Sequence, residues 1–214
     1  MEEKVSKYLA IVFLVFSLSS CSMMYKAPPK GLTGFECFKA KDYSCALKEW
    51  EPLAKQGDAY FQNFLGSMYN EGFGVKQDYL KAVEYYKLAA DQGLARAQGN
   101  LGFMYITGRG VKQNHLKAVE YYKLSADQGD AKSQFNLAAE YQTGEGVKQD
   151  YLKAAEYYKL SAEQGYAGAQ ANLGYLYSKG LGVKQDIQKA KEWSDKACDN
   201  QSQIACDNYK ELNE

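Results

Sequence analysis

Three kinds of side chain in these 214 residues could do chemistry: five cysteines, one histidine and the serines. Four cysteines form two pairs of one spacing, Cys37 with Cys45 and Cys198 with Cys206, each eight residues apart. A thiol can serve as nucleophile, metal ligand or half of a disulfide. A Cys–His nucleophile would have to use His115, the sole histidine. A metal centre needs clustered His, Cys or carboxylate ligands, and one histidine does not signal such a cluster, so no metal is expected. The serine β-lactamase apparatus needs Ser-x-x-Lys with Ser-Asp-Asn and Lys-Thr-Gly, and none of the three occurs. No catalytic residue and no cofactor are expected. Lysine plus arginine and aspartate plus glutamate both number 26. That balance provides no basic stripe for a phosphate backbone, so no nucleic-acid partner is expected.

The elements that carry these side chains repeat. Gly-Val-Lys-Gln occurs at Gly74, Gly110, Gly146 and Gly182, with a period of 36 residues. A fixed period of this size marks a stacked-repeat architecture. Within residues 58–93, Ala59, Gln62, Leu65, Gly66, Met68 and Tyr69 have helical spacing. Gly72 and Gly74 break the segment, and Asp78 can cap a second helix carrying Ala82, Tyr85, Tyr86 and Ala89 to Gly93. The copies are 94–129, 130–165 and 166–201. Leu65, Leu101, Leu137 and Leu173 share one place and are expected to form a buried ridge. His115 takes the place of Tyr79, Tyr151 and Ile187 and reads as a surface variant. Residues 35–57 are expected to be a capping hairpin turning at Ala40-Lys41-Asp42, and residues 202–214 a closing helix, because the ends of a solenoid need caps. The fold class is an all-α solenoid of stacked helix–turn–helix units.

The ends differ in character. Lys4 and Lys7 precede a mostly apolar run from Tyr8 to Leu18, too short to span a bilayer but suited to a signal peptide. Leu18-Ser19-Ser20-Cys21 then resembles the bacterial lipobox, with Cys21 as the lipidated N-terminus. Residues 1–20 are thus expected to be a lipoprotein signal peptide. Residues 21–34, with Pro28, Pro29, Gly31 and Gly34, read as the lipidated N-terminus and tether. Ser22 in place of an aspartate favours the outer membrane and periplasm, by analogy with enteric lipoproteins. In an oxidising envelope the four remaining cysteines are expected as two disulfides. The places of Cys198 and Cys206 hold Ala90 and Gln98 in an earlier copy, and these must face each other across a turn. Cys37 and Cys45 straddle the turn of the first hairpin.

The repeated residues resemble the Sel-one-like repeat family, relatives of the tetratricopeptide repeats. The likeness rests on Ala59, Gln62, Leu65, Gly66 and Tyr69, then Gly74-Val75 with Gln77-Asp78, then Lys81-Ala82 with Glu84-Tyr85-Tyr86-Lys87, then Ala90-Asp91-Gln92-Gly93, and covers residues 58–201. It implies a right-handed superhelix of helical pairs and an adaptor role, holding proteins or peptides. Lys196-Ala197-Cys198 with Cys206 also resembles the Helicobacter cysteine-rich subfamily, in which most repeats carry such a bridge. That likeness implies an alternative, penicillin binding with weak β-lactamase activity. A structural spacer is a third reading.

Comparison of the copies points to a candidate binding face. The third, sixth, tenth and thirteenth places of each unit vary, and their spacing makes one helical stripe. The candidate residues on it are Tyr60, Asn63, Ser67, Asn70, Arg96, Phe103, Ile106, Lys132, Phe135, Gln142, Tyr175 and Ser178. Places that vary are expected to be free of the stack, and in tetratricopeptide-like proteins this stripe faces the concave groove. Aromatic residues there point to a protein or peptide partner in the envelope, with the membrane engaged through the lipid on Cys21.

Overall fold

The computed structural model describes residues 32–199. Residues 1–20, expected as a signal peptide, and 202–214, expected as a closing helix, lie outside the described residues, as do Cys21 and Cys206. Ten α-helices and no strand are present among the described residues. They are α1 (Leu32–Lys39), α2 (Tyr43–Lys55), α3 (Ala59–Glu71), α4 (Tyr79–Asp91), α5 (Ala95–Thr107), α6 (His115–Ala126), α7 (Ala131–Thr143), α8 (Tyr151–Glu163), α9 (Ala167–Lys179) and α10 (Ile187–Asp199). Each helix packs on the one before and the one after, so the contacts run along a single stack. Among the described residues, no helix is long and apolar enough to cross a membrane.

Local chemistry sets each boundary. The Asp58 carboxylate accepts from the backbone N–H groups of Tyr60 and Phe61 and so starts α3. Asp78, Asn114, Asp150 and Asp186 accept from the N–H three residues on and start the second helices. The first helices of the four repeats end on Gly72, Gly108, Gly144 and Gly180, all left-handed. The repeated tetrapeptide closes the loop that follows. Its glutamine, Gln77, Gln113, Gln149 or Gln185, donates from Nε2 to the carbonyl of Asn70, Ile106, Gln142 or Ser178 at 2.7–2.9 Å. That satisfies a carbonyl the helix end would otherwise leave open. Its glycine also has positive φ (68° at Gly110), and a β-carbon there would run into the Tyr79 carbonyl of the preceding unit.

The expected ridge is buried, with Leu65, Leu101, Leu137 and Leu173 all at 0–1 % exposure. At roughly 1.5–3 kcal/mol for each such side chain, the ridge is a main source of stability. Gly66 and Gly102 let the rings of Tyr86 and Tyr122 lie against the first helix, since a β-carbon would sit 2.6–2.8 Å from them. A ladder of glutamines ties the two helices of each unit: Gln92 donates to Gln62, Gln128 to Gln98 and Gln164 to Gln134, at 2.7–2.8 Å. Gln62, Gln98, Gln134 and Gln170 in turn donate to the carbonyls of Ala54, Ala90, Ala126 and Ala162. The Ala and Gln places therefore do face each other across the turn, and Cys198 and Cys206 stand at the next such pair in the sequence.

At the N-terminal end the Cys37–Cys45 disulfide ties α1 to α2, with α-carbons 5.7 Å apart. Lys41 takes positive φ (61°) in the turn between them. Trp50 closes this end, 1 % exposed, with Phe35, Phe38 and Phe64 at 5.1–5.6 Å. Cys198 on α10 is disulfide-bonded; Cys206, its expected partner, lies outside the described residues.

Candidate functional site

The variable stripe on the first helices divides into two sets. Tyr60 is 56 % exposed and borders a cleft of about 350 Å³ that Asn63, Phe64 and Arg96 also line. Phe103 is half-buried, with the Lys132 ammonium 5.7 Å and the Arg109 guanidinium 5.8 Å from its ring centroid. Tyr175 is 43 % exposed, and its carbonyl accepts from the Ser178 hydroxyl at 2.8 Å. These six residues, Tyr60, Arg96, Phe103, Lys132, Tyr175 and Ser178, present contact surface along α3, α5, α7 and α9.

The others hold the stack together, which departs from the expectation that varying places are free of it. Asn63 is buried and accepts from the Asn100 side chain of the next unit at 3.0 Å. Asn70 is buried, with its Nδ2 donating to the Glu71 carboxylate at 2.6 Å. Ile106 packs against the core of the following repeats. The Phe135 ring lies 5.0 Å from Tyr166 and 5.7 Å from Tyr158. Ser67 and Gln142 accept from the buried hydroxyls of Tyr86 and Tyr158, at 3.1 and 2.8 Å. The physical reason is that a varying place can still be buried when its neighbour varies with it. Gly168, for example, leaves the room that Phe135 fills.

Burial pushes the phenols of Tyr86 and Tyr158 up to about 12 and that of Tyr122 higher still. These groups are neutral hydrogen-bond partners at ordinary pH.

The second helices carry a face that the comparison of copies missed. Leu80, Leu116 and Leu152 are 57–67 % exposed, and Leu88, Leu124 and Leu160 are 47–51 % exposed. Beside them stacked tyrosine pairs recur, Tyr69 on Tyr85, Tyr105 on Tyr121 and Tyr141 on Tyr157, at 5.7–5.9 Å. Lys81, Lys117 and Lys153 cap Tyr69, Tyr105 and Tyr141 at 5.1–5.5 Å. Because these residues are identical in the first three copies, they read as packing. The available signal was the helical wheel: Leu80, Lys81, Glu84 and Leu88 lie opposite the buried Ala82, Tyr86 and Ala89.

A second difference concerns His115. It is not an isolated surface variant, since its Nδ1 lies 3.1 Å from Glu140 and 3.5 Å from Glu145. Sequence spacing hides this cluster because it spans two units.

Comparison with known proteins fits the stack just described. The Sel1 repeat model matches residues 59–94, 95–130, 131–166 and 167–202. The chain belongs to the Sel1 repeat family. Its matched units start one residue later than the frame counted from Asp58. Sel1 repeats are, in general, scaffolds for protein–protein interaction. Among solved structures, c5321, a protective antigen of uropathogenic Escherichia coli with an SLR fold, is 36 % identical. That match has a TM-score of 0.79, covering 84 % of this chain and 39 % of that one. This chain thus spans well under half the length of c5321. A Sel1 repeat protein from Oxalobacter formigenes is 34 % identical with a TM-score of 0.74, covering 82 % of this chain and 72 % of that one. The cysteine-rich protein HcpB of Helicobacter pylori is 27 % identical over 62 % of this chain and 95 % of its own, at a TM-score of 0.49. That superposition is too weak to bring the cysteine-rich subfamily's properties to this Sel1 stack. No curated protein matches the chain.

Proposed function

We propose that this protein is an envelope lipoprotein, anchored through Cys21, whose first-helix face holds an extended segment of a partner protein. The observation that carries the reading is the run of exposed aromatic and cationic residues along successive first helices. Tyr60 and Arg96 share the cleft between α3 and α5, Lys132 lies over Phe103, and Tyr175 continues the line on α9. Aromatic rings beside arginine make strong contact points because they desolvate readily and lose little conformational entropy. Such a row suits an extended peptide with apolar side chains, whose backbone can bond to the exposed polar ends of the stripe. The general role of Sel1 repeats as interaction scaffolds supports the same reading. The lipid anchor is supported by the lipobox after a short apolar run, at Leu18 to Cys21.

The test is capture of envelope proteins by the purified chain and by a Tyr60→Ala/Arg96→Ala/Tyr175→Ala variant. The variant should lose at least tenfold in captured partner while its far-ultraviolet circular dichroism and melting curve stay those of wild type. Equal capture by both would remove the first-helix face from consideration. For the anchor, Cys21→Ala should move the protein from the membrane fraction to the soluble fraction and abolish labelling by a palmitate analogue.

A further inference from the structure

Wherever one unit meets the next, the first residue of a second helix touches the loop of the following unit. At the first such junction Tyr43 stacks on Phe73 at 4.8 Å. At the second, the Arg109 guanidinium lies 5.4 Å from the Tyr79 ring centroid. At the fourth, Tyr151 and Leu181 both pack on the apolar core. The third junction differs in kind: its pair is His115 and Glu145, a titratable base and an acid 3.5 Å apart. A third change accompanies them. Glu140 occupies the place of Met68, Met104 and Leu176, all buried at 0–1 % exposure. Three departures from apolar or aromatic chemistry thus meet at one point, on three separate segments, α6, α7 and the loop after α7.

We propose that His115, Glu140 and Glu145 form a binding site for a divalent transition-metal ion, with zinc the best match. Nδ1 of His115 lies 3.1 Å from Oε2 of Glu140 and 3.5 Å from Oε2 of Glu145, and one ligand atom from each residue falls within 4.8 Å of the others. Three ligands at about 2.0–2.1 Å from a tetrahedral zinc stand about 3.3–3.4 Å apart, so the two measured edges bracket that spacing.

The charge balance supports the same assignment. Both carboxylates converge on one nitrogen, which can offer a single proton to only one of them. Among the described residues, no lysine or arginine pairs with either carboxylate. Even an imidazolium would leave one negative charge, and the Glu140 side chain is only 9 % exposed. A buried charge is costly without a partner, and methionine at the same place carries no such cost in two other units. A dication neutralises both carboxylates at once.

The donor set selects the ion. One imidazole and two carboxylates suit zinc and its neighbours, whereas calcium takes six to eight oxygens and magnesium keeps an octahedron of oxygens. His115 and Glu145 have side chains 28 % and 62 % exposed, so the ion can enter from solvent and keep a water in its fourth position. The backbone of Gly146 rests against that of His115 and holds the loop in place.

Two substitutions borrow residues the stack already tolerates: Glu140→Met copies the residue at 68 and 104, and His115→Tyr copies that at 79 and 151. Zinc chloride is titrated calorimetrically into chelator-washed, oxidised full-length chain, and cobalt(II) is added to a second sample for its visible absorption. Wild type should bind one zinc equivalent more than either variant, and its melting temperature should rise with zinc while theirs do not. Wild type alone should give the intensified cobalt bands of a four-coordinate site. In chelator, Glu140→Met should melt at or above wild type. Equal zinc binding by wild type and both variants, or none by wild type, overturns the proposal.

Discussion

The first and second helices of this stack differ in how sequence variation relates to burial. On the second helices, Leu80, Leu116 and Leu152 are one residue type and stand in solvent, as do Leu88, Leu124 and Leu160. On the first helices, Asn63 and Asn70 lie at places that vary between copies, yet both are buried. Identity between copies therefore does not mean burial, and variation does not mean release. What does separate the faces is partnership. A varying place can be buried when a facing residue varies with it, as with Phe135 and Gly168. A place shared by three copies can be exposed when it lines a feature those copies share, as Leu88 lines a cleft with Tyr69, Lys81 and Tyr85. The last unit breaks the second pattern, with Gln188 and Lys196 in the leucine places.

Four measurements would break or sharpen that contrast. The largest effect is expected where invariance has a backbone cause. Gly110→Ala must hold positive φ and push against the Tyr79 carbonyl, so it should cost about 2–5 kcal/mol in denaturant unfolding. Phe135→Ala should cost about 2 kcal/mol, less than the 3–5 of a fully buried phenylalanine, whereas Tyr60→Ala on the same stripe should leave stability unchanged. If both behave alike, the division of the stripe is wrong.

The buried phenols give the third measurement. Tyr86 and Tyr158 ionise near pH 10 in the unfolded chain but are pushed up to about 12 in the fold. The unfolded state therefore sheds its protons first. Their contribution is fully present below pH 10 and is lost as pH rises toward 12, so the melting temperature should fall across that window. The smallest effect is expected at Leu124→Ser, within about 0.5 kcal/mol. A larger loss would mean that the exposed leucines pack against something in solution.

Much of this was legible in residue order. The period, the helix pairs, the leucine ridge and the facing Ala and Gln places follow from spacing, because each depends on contacts within one unit or one turn. The Cys37–Cys45 bridge was legible for the same reason. What could not be seen depends on contacts between units with no shared pattern. His115 looked isolated because Glu140 and Glu145 lie 25 and 30 residues away in sequence, on the far side of a junction where other copies place methionine, leucine, phenylalanine or arginine. Asn63 looked free because its partner, Asn100, is 37 residues on.

The glutamine ladder has one more consequence. Gln98, Gln134 and Gln170 each donate to an alanine carbonyl of the preceding unit in the same geometry, and the largest helix contacts are between helices consecutive in the chain. Each rung thus presents to the next nearly the same interface it received from the last. A splice joining Gly93 directly to Asp130 would place matching surfaces together, and a duplicated rung would do the same. The stack's length is in that sense adjustable in whole steps, with the Trp50 seal at its N-terminal end left as it is.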